Sequence, residues 1–338
     1  MFIINHKKIF FAIAAVVVAL SITAIATFGL NQGIDFSGGT LLEIEYTDEK
    51  PSNVVLREDL QQAGYSDLTL QSIGELGLLL KIRELSDEEK DQIDALLTVD
   101  SQYQFTEIRY RNIGPTISGE LQNKSLFAIF LVVVAIVLFV AYVFREVSVP
   151  VSSWKYGFVA IVALVHDILV PTAVFAFLGS FLIEYQIDVL FITALLAILG
   201  FSVNDTIVVF DRIRENLRQE IDKVAPAKKT QEEKRAEIYR GEVGKEDKAT
   251  KVYISDQRFK EIVGLSLNQT FVRSFNTSLT TLVVLLMLFF VGGETTKPFA
   301  LTLAIGVLAG TYSSLFLASP LLTYLAQTRK SHERSETA

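Results

Sequence analysis

The sequence predicts a polytopic α-helical membrane protein with six transmembrane helices and an extracytoplasmic α+β domain between the first two. Half of the 338 residues are hydrophobic and 20% are charged, whereas a soluble domain carries roughly 25% charged residues. The apolar residues fall in six runs, each near the ~20 residues that cross a hydrocarbon core. These runs, helices 1 to 6, are Ile9–Leu30, Leu126–Phe144, Tyr156–Phe181, Val189–Phe210, Phe271–Val291 and Pro298–Leu325.

Helix 1 has an alternative interpretation as a cleaved signal peptide. Lys7 and Lys8 precede the apolar run, and Ala24-Ile25-Ala26 resembles a cleavage site. The run is longer than the usual apolar segment of a signal peptide, roughly 7–15 residues. We therefore expect a retained helix.

Basic residues in the short loops predict the orientation. The loop between helices 3 and 4 has none, and the loop between helices 5 and 6 has only Lys297. The basic residues at the opposite ends of the helices are His6, Lys7, Lys8, Arg145, Lys155, Arg212, Arg214, Arg218, Arg329, Lys330 and Arg334. Both termini are thus expected in the cytoplasm and residues 31–124 outside.

Residues 31–124 predict a small folded domain. TLLEIEY, LTLQSI, LLLKIR and YQFTEIRYR have the composition of strands. Ser52 caps one helix that ends near Gly64, and Ser86 with Glu89 forms a capping box for DEEKDQIDALL. The order βαββαβ is that of a ferredoxin-like domain. It carries 18 acidic and 8 basic residues, which we interpret as a solvated acidic surface.

The stretch GIDFSGGT, residues 33–40, has the spacing of a phosphate-binding loop, but Gly39 replaces its lysine. Because it is predicted outside, away from ATP, we interpret it as a tight turn from helix 1 into a strand. IGPTISGEL then forms a turn before helix 2. The residues assigned to these turns are Gly33, Asp35, Gly38, Gly39, Gly114 and Pro115.

The remaining segments carry no predicted chemistry. The predicted division is 1–30, the N-terminus with helix 1; 31–124, the outer domain; 125–211, helices 2 to 4; 212–265, a charged cytoplasmic loop; 266–326, helices 5 and 6; and 327–338, a tail. The loop is rich in lysine and glutamate and is expected to be mobile or a polar hairpin. The chain has no cysteine and a net charge of −7, so we expect no disulfide, no thiolate zinc site and no nucleic-acid partner.

Ionisable residues lie inside three of the predicted spans, where each costs about 3 kcal/mol or more. At ~1.5 Å per residue, Asp167, Asp205 and Arg273 all lie about 22–25 Å from the outer ends of their helices. One layer therefore holds these groups. The candidate proton-relay residues are His166, Asp167, Asn204, Asp205, Arg273, Asn276 and Thr277.

A proton site is one interpretation of this layer. Burial favours a neutral Asp205 and a nearby guanidinium favours an ionised one, so separation from Arg273 would switch its protonation. The alternatives are that the polar residues join helices and that Arg273 snorkels to the surface. Gly306 and Gly310 form a small-residue face that we interpret as helix packing.

Several long blocks resemble the SecD/SecF family of protein-export membrane proteins, within the resistance-nodulation-division superfamily, and its SecF subunits in particular. The blocks are GIDFSGGT, IGPTISGEL, VHDILVPTAVFAFLG, GFSVNDTIVVFDRIREN, SLNQTFVRSFNTSLTTL and GTYSSLFLASPLL. The resemblance covers nearly the whole chain. The chain departs from the family at Ser118, where glycine is usual, and in its longer loop between helices 4 and 5.

The resemblance implies a subunit of the bacterial cytoplasmic membrane that acts with SecD beside the SecY/SecE/SecG channel. The proton gradient would drive the export of unfolded polypeptides, with no cofactor and no enzymatic activity. The family's proton-linked aspartate and arginine fall on Asp205, within SVNDT, and Arg273, within QTFVRS. We expect protonation of Asp205 to loosen its pairing with Arg273 and to move the outer domain through helix 1 and GIDFSGGT.

Three other functions are compatible with parts of the sequence. A small-molecule efflux pump would need larger outer domains than residues 31–124 provide. An intramembrane aspartyl protease would use Asp167 and Asp205 as a dyad within proton-sharing distance. A passive scaffold that stabilises SecD would tolerate loss of both Asp205 and Arg273.

Overall fold

The structure is a computed structural model that describes residues 2–99, 102–145, 151–182, 184–229, 254–293 and 296–326. The chain divides into two compact units. The helical unit comprises residues 1–27, 131–174 and 194–338, and the sheet unit comprises residues 28–130 and 175–193. Predicted features in 230–253 and 327–338, which include the middle of the charged loop and Arg329, Lys330 and Arg334, lie outside the described residues.

All six predicted membrane helices are present, each with an apolar window long enough to cross a membrane. After a single turn at Phe2–Asn5, they are Lys7–Phe28, Pro115–Val143, Ser153–Gly179, Val189–Lys229, Asp256–Val291 and Lys297–Tyr312. Helix 6 continues as a π-helix over Ser313–Ala318 and as an α-helix to residue 326.

Three helices extend well beyond their predicted apolar runs: helix 2 at its start, helix 4 at its end, and helix 5, which begins at Asp256 rather than Phe271. Helix 2 begins at Pro115 rather than Leu126, because proline has the backbone angle of a first helical position and no N–H group to leave unpaired there. The Gly114 carbonyl accepts a hydrogen bond from the Ser118 amide at 3.1 Å. Helix 4 runs to Lys229, past the predicted end of the apolar run at Phe210, and so includes the first part of the charged segment.

The described parts of helices 4 and 5 are joined by polar contacts beyond their apolar runs. The Arg258 guanidinium bonds both oxygens of Glu220, at 2.7 and 3.0 Å. The Asn216 amide donates to the Ser266 hydroxyl at 2.8 Å and to Gln269 at 2.9 Å. The charged segment 212–265 therefore holds two helices together where it is described.

Burial separates the helices into two groups. In the apolar windows of helices 3, 4 and 6, 50 to 61% of residues are buried, against 6 to 17% for helices 1, 2 and 5. Helices 3, 4 and 6 therefore supply the core of the helical unit. Any polar group that this core encloses needs a partner inside it.

The sheet unit has the predicted element order. The strands are β1 (Gly39–Tyr46), β2 (Leu68–Ile73), β3 (Gly77–Ile82) and β4 (Phe105–Ile113), and the helices are α1 (Asn53–Gln62) and α2 (Asp87–Leu97). The sheet is antiparallel, in the order β2-β3-β1-β4. Ser52 caps α1, and Ser86 with Glu89 forms the predicted capping box at α2. The ferredoxin-like classification itself stays a prediction.

Both faces of β1 are covered. One face packs its alternate residues against the two helices, in a cluster that includes Leu42, Ile44, Leu56, Leu60, Ile93 and Leu97. On the other face, Leu41 packs with Ile34 from the GIDFSGGT stretch. This stretch makes one helical turn, Ile34–Ser37, and then reaches β1 through Gly38 and Gly39, whose φ angles are +71° and +112°. The predicted tight turn is confirmed.

Candidate functional site

The Asp167 carboxylate is buried in the helical unit and receives donors from three helices. Its Oδ1 lies 2.9 Å from Nδ1 of the neighbouring His166. Its Oδ2 accepts hydrogen bonds from the hydroxyls of Ser202 on helix 4 and Ser313 on helix 6, the latter at 2.8 Å. Because these donors replace water, Asp167 can remain 0% exposed.

The Asp205 carboxylate lies against the same turn of helix 6. Asp205 is 6% exposed, and its Oδ2 accepts a hydrogen bond from the Ser314 hydroxyl at 3.0 Å. Ser313 and Ser314 are consecutive, so one turn of helix 6 donates to carboxylates on two other helices. The two aspartates thus belong to one buried polar cluster.

His166 extends this cluster toward helix 1. Its ring stacks on Tyr312 with centroids 5.7 Å apart, and the Tyr312 hydroxyl donates to the Phe10 carbonyl at 2.8 Å. The second ring nitrogen, Nε2, is buried and has no hydrogen-bond partner within the described ranges. A ring bonded at one nitrogen only can accept or release a proton at the other.

The turn that carries the serines is π-helical. It ends two residues before Pro320, which has no N–H group to offer the carbonyl four residues earlier, that of Phe316. The Ser319 hydroxyl instead donates to the Ser314 carbonyl at 3.0 Å. Such turns within α-helices occur frequently at functional sites.

Two glycines on helix 6 allow close packing against helix 4. A Cβ atom at Gly306 would lie 2.2 Å from Cδ1 of Ile198, and one at Gly310 would lie 3.0 Å from Cβ of Ser202. Gly310 therefore leaves room for Ser202, which bonds Asp167. Helices 4 and 6 approach each other closely along this small-residue face.

The other predicted relay residues lie on the surface of the chain. Arg273, Asn276 and Thr277 on helix 5 are exposed, as is Asn204 on helix 4. The Arg273 guanidinium has no ion pair or hydrogen bond among the described residues, so the structure does not bring it to Asp205. The Thr277 hydroxyl donates to the Arg273 carbonyl at 2.9 Å.

Helix 5 presents a different polar stripe to the core. Ser266, Thr270, Ser274 and Ser278 are buried and recur every four residues. Ser278 bonds Thr311 on helix 6 at 2.6 Å. Arg273 precedes Ser278 by about 7.5 Å along helix 5, and Ser314 follows Thr311 by about 4.5 Å along helix 6. Because the two helices are antiparallel, both residues lie on the same side of this contact. Arg273 is thus within one turn of the level of the aspartates, on the outward face.

The structure therefore brings together three of the seven predicted relay residues, His166, Asp167 and Asp205. The relay role itself stays a prediction. Sequence reasoning missed the hydroxyl partners Ser202, Ser313 and Ser314 and the ring that stacks on His166, that of Tyr312. The signal available was a pair of adjacent serines in GTYSSLFLASPLL, inside an otherwise apolar run.

The hydrogen bonding differs from that of an aspartyl protease dyad. Such a dyad shares one proton directly between two carboxylates. Oδ2 of Asp167 and Oδ2 of Asp205 instead accept from separate serines. The pair is therefore bridged by helix 6.

The sheet unit holds a third buried carboxylate, Asp35 of the GIDFSGGT stretch. It is 1% exposed and pairs with the Arg111 guanidinium on β4. Its Oδ2 also accepts the Val189 N–H, at the first residue of helix 4, at 3.1 Å. The Gly33 amide donates to the Ile187 carbonyl at 3.0 Å. The stretch thus fastens the sheet to the start of helix 4.

Asp188 lies beside this cluster and caps helix 4. Its Oδ1 accepts the Phe191 N–H at 2.8 Å. Burial, and then the neighbouring Asp35 carboxylate, raise the pKa of Asp188, while the Phe191 amide and Arg111 oppose the increase. A Cβ at Gly33 would lie 2.9 Å from the Asp188 Cβ, so only glycine fits there.

These features define a six-helix membrane protein with a buried carboxylate cluster and an inserted α+β domain. A family model described as "Protein export membrane protein SecD/SecF, C-terminal" matches residues 92–231 and 248–328. A second, described as "SecD/SecF GG Motif", matches residues 23–49, which include GIDFSGGT. The chain belongs to the SecD/SecF family of protein-export membrane proteins.

Individual relatives agree with this family. The chain is 36% identical over 332 residues to protein translocase subunit SecF of Thermobaculum terrenum, with 95% of this chain and 92% of the relative covered. It is 32% identical over 325 residues to the SecF subunit of Pseudomonas aeruginosa, with 95% and 90% covered.

Two solved structures share the fold. One is the crystal structure of SecDF, a translocon-associated membrane protein from Thermus thermophilus, with 28% identity and a TM-score of 0.73. The other is SecDF in a super-membrane-facing form, also 28% identical, with a TM-score of 0.61. This chain is covered at 97% and 98%, but it spans only 38% and 40% of those chains.

Proposed function

We propose that the chain is an auxiliary subunit of the Sec protein translocase that works with SecD and uses the proton motive force to promote polypeptide export. The family and its SecF relatives support the translocase role. The observation that supports proton use is the pair of buried carboxylates, Asp167 and Asp205, whose partners among the described residues are hydroxyls and an imidazole. Such carboxylates inside a membrane bundle are typical of proton relays.

The proton step is assigned to Asp205. The Ser314 hydroxyl bonds its carboxyl group, and a hydroxyl can donate to a carboxylate or accept from a carboxylic acid. Helix 4 begins at Val189, sixteen residues before Asp205, and its first amide is bound by Asp35. Movement of helix 4 on protonation would therefore reach the sheet unit through Asp35 as well as through helix 1.

The exposed polar face of helix 5 is assigned to the contact with SecD. Arg273, Asn276 and Thr277 lie at mid-helix with no partner for the guanidinium among the described residues. A guanidinium facing hydrocarbon costs several kcal/mol, of order 3 or more. The solved SecDF chains are more than twice as long as this one. We propose that SecD supplies the acidic or amide partner of Arg273, beside the SecY/SecE/SecG channel.

The proposal is tested with Asp205→Asn and Arg273→Met in the full complex. Export that has begun with ATP is allowed to finish without ATP under an imposed proton gradient, and the completed polypeptide is quantified. Both variants should lose the gradient-driven completion by about tenfold or more, as expected for a required proton group. Asp211→Asn, an exposed aspartate on the same helix, is the matched control and should export normally.

The opposite result separates this function from its main rival. If both variants complete export at the normal rate, proton coupling through these residues is wrong. A passive scaffold for SecD would then remain, because it needs neither charge.

The bacterial cytoplasmic membrane, cytoplasmic termini and an outer location of residues 31–124 are part of the proposal. The absence of cysteine makes the topology easy to test with single substitutions. Asp48→Cys and Lys8→Cys both place a thiol at an exposed position. An impermeant maleimide should label the first in intact spheroplasts and the second only after permeabilisation. Labelling of Lys8→Cys from outside would reverse the orientation.

A further inference from the structure

The hydroxyls of Ser313 and Ser314 reach two carboxylates that lie on different helices. Ser313 donates to Asp167 on helix 3, and Ser314 donates to Asp205 on helix 4. All four residues are 6% exposed or less. Water therefore has little access, and the serines are the donors that helix 6 provides to the pair.

The backbone of this turn makes the positions of Ser313 and Ser314 depend on each other, and so on both carboxylates that they bond. Side chains of consecutive residues in an α-helix diverge by about 100°. In the π-helical turn the angle between consecutive side chains is different. Pro320 has no N–H group, so the α-helical hydrogen bond to the Phe316 carbonyl, which would eliminate the π-helical turn, cannot form. A shift of Ser313 on this turn therefore displaces Ser314 as well.

We infer that Ser313 and Ser314 are positioning residues that couple Asp167 and Asp205 into one proton-binding unit, with the π-helical turn as the link. The inference rests on the proposed function, and adds Asp167 with His166 as a second proton-binding group. When Asp205 binds a proton, its Oδ2 no longer needs the Ser314 hydrogen. The turn relaxes, and the Ser313 bond to Asp167 changes with it.

Other titratable groups do not provide an equivalent link. His166 bonds Asp167 and Tyr312 stacks on the His166 ring, and among the described contacts neither side chain bonds Asp205. Arg273 on helix 5 is directed outward. Helix 1 has Lys7 and Lys8 only, at its start, and helix 2 has no charged residue after Lys124 within the described span. Helix 6 therefore connects the aspartates through Ser313 and Ser314, and helix 4, which carries Asp205, also contacts Asp167 through Ser202.

The test follows the two aspartates separately in the full chain copurified with SecD and held in lipid nanodiscs. Infrared difference spectra measure the carboxylic acid C=O band against pH, and Asp167→Asn and Asp205→Asn assign the bands. Two strongly interacting groups titrate with properties of the pair. Ser313→Ala should therefore move the Asp205 midpoint, although Ser313 does not contact Asp205, by about half a pH unit, a threefold change in proton affinity.

The controls separate coupling from general damage. Ser278→Ala removes another buried hydroxyl, one that bonds Thr311 and no carboxylate, and should leave both midpoints unchanged. Ser313→Thr keeps the hydroxyl and should restore the Asp205 midpoint. If Ser313→Ala moves only the Asp167 band, and Ser314→Ala only the Asp205 band, the coupling is overturned.

Failure of the coupling between Asp167 and Asp205 can be distinguished from failure of the proposed proton-driven function. If Asp205→Asn blocks gradient-driven export but the two midpoints move independently, only the coupling is wrong. If Asp205→Asn exports normally, the proton-driven function is wrong whatever the spectra show.

Discussion

Asp35 in the sheet unit and Asp205 in the helical unit are both buried carboxylates, but they have different partners. Asp35 is bound by the Arg111 guanidinium and the Val189 N–H. Asp205 is bound by the Ser314 hydroxyl. A guanidinium cannot be neutralised in a protein, whereas a hydroxyl can donate to a carboxylate or accept from a carboxylic acid.

The type of partner therefore separates a structural carboxylate from one suited to proton transfer. Arg111 keeps its charge, and removing one partner of a buried ion pair costs more than the pair contributes. The hydroxyl at Asp205 satisfies either protonation state by rotating. Burial alone does not distinguish these roles.

The largest expected effect concerns the turn that places Asp35. Gly39 has a φ of +112°, and a Cβ there would lie 2.5 Å from the Ile82 carbonyl oxygen on β3. Gly39→Ala should lower the free energy of unfolding of the sheet unit by about 3 kcal/mol or more, from backbone strain and displaced strands. Hydrogen exchange of the β1 and β3 amides in the full chain measures the loss.

Gly64→Ala is the matched control for Gly39→Ala. Gly64 also has a positive φ, +98°, but no atom lies within 4 Å of its built Cβ. Gly64→Ala should lower the free energy of unfolding by only about 1–2 kcal/mol, because only the backbone conformation is unfavourable for alanine. Equal effects at the two glycines would mean that contact with β3 is unimportant.

The next largest effect is expected from breaking the ion pair between Asp35 and Arg111. Asp35→Asn should destabilise the sheet unit by about 2 kcal/mol, less than for a fully buried pair because the Arg111 side chain is 39% exposed. Exchange of the β4 and Val189 amides should increase together. Glu45→Gln, at an exposed position on β1, should change neither. An unchanged Val189 amide would show that Asp35 does not hold helix 4.

A smaller effect is expected at Asp205. Asn at this position can still accept the Ser314 hydrogen bond through its carbonyl oxygen, so Asp205→Asn should change the free energy of unfolding by less than about 1 kcal/mol. Thermal unfolding of the detergent-solubilised chain measures this. Destabilisation as large as that of Asp35→Asn would make Asp205 a structural residue and remove the contrast.

Features that depend on local sequence were predictable. The Ser86 and Glu89 capping box and the turn at Gly38 and Gly39 are set by residues a few positions apart. The six membrane helices follow from the length of apolar runs. Asp167 and Asp205 stand out because carboxylates are rare in such runs.

The direction of side chains around helix 5 was not predictable. Arg273 and Thr277 form one polar stripe, and Ser274 and Ser278 form the next. Both satisfy a helical period, and only packing decides which one faces the core. Small hydroxyl residues let helices approach closely, so the serine stripe is buried and Arg273 is directed outward.

The smallest expected effect is a pH dependence at Asp188, beside Asp35. Burial and the nearby Asp35 carboxylate raise the pKa of Asp188, so the folded state binds its proton more tightly than the unfolded state. Stability from this group is therefore greatest at low pH and falls as pH rises from the ordinary aspartate value, about 3.9, through the raised pKa. The measurement is the difference in melting temperature between the natural chain and Asp188→Asn across this range. That difference should decline as pH rises, and Asp67→Asn, at an exposed aspartate of the same unit, should show no such decline. A constant difference would mean that Asp188 is equally ionised in both states, and that the stability of the sheet unit does not depend on pH through this group.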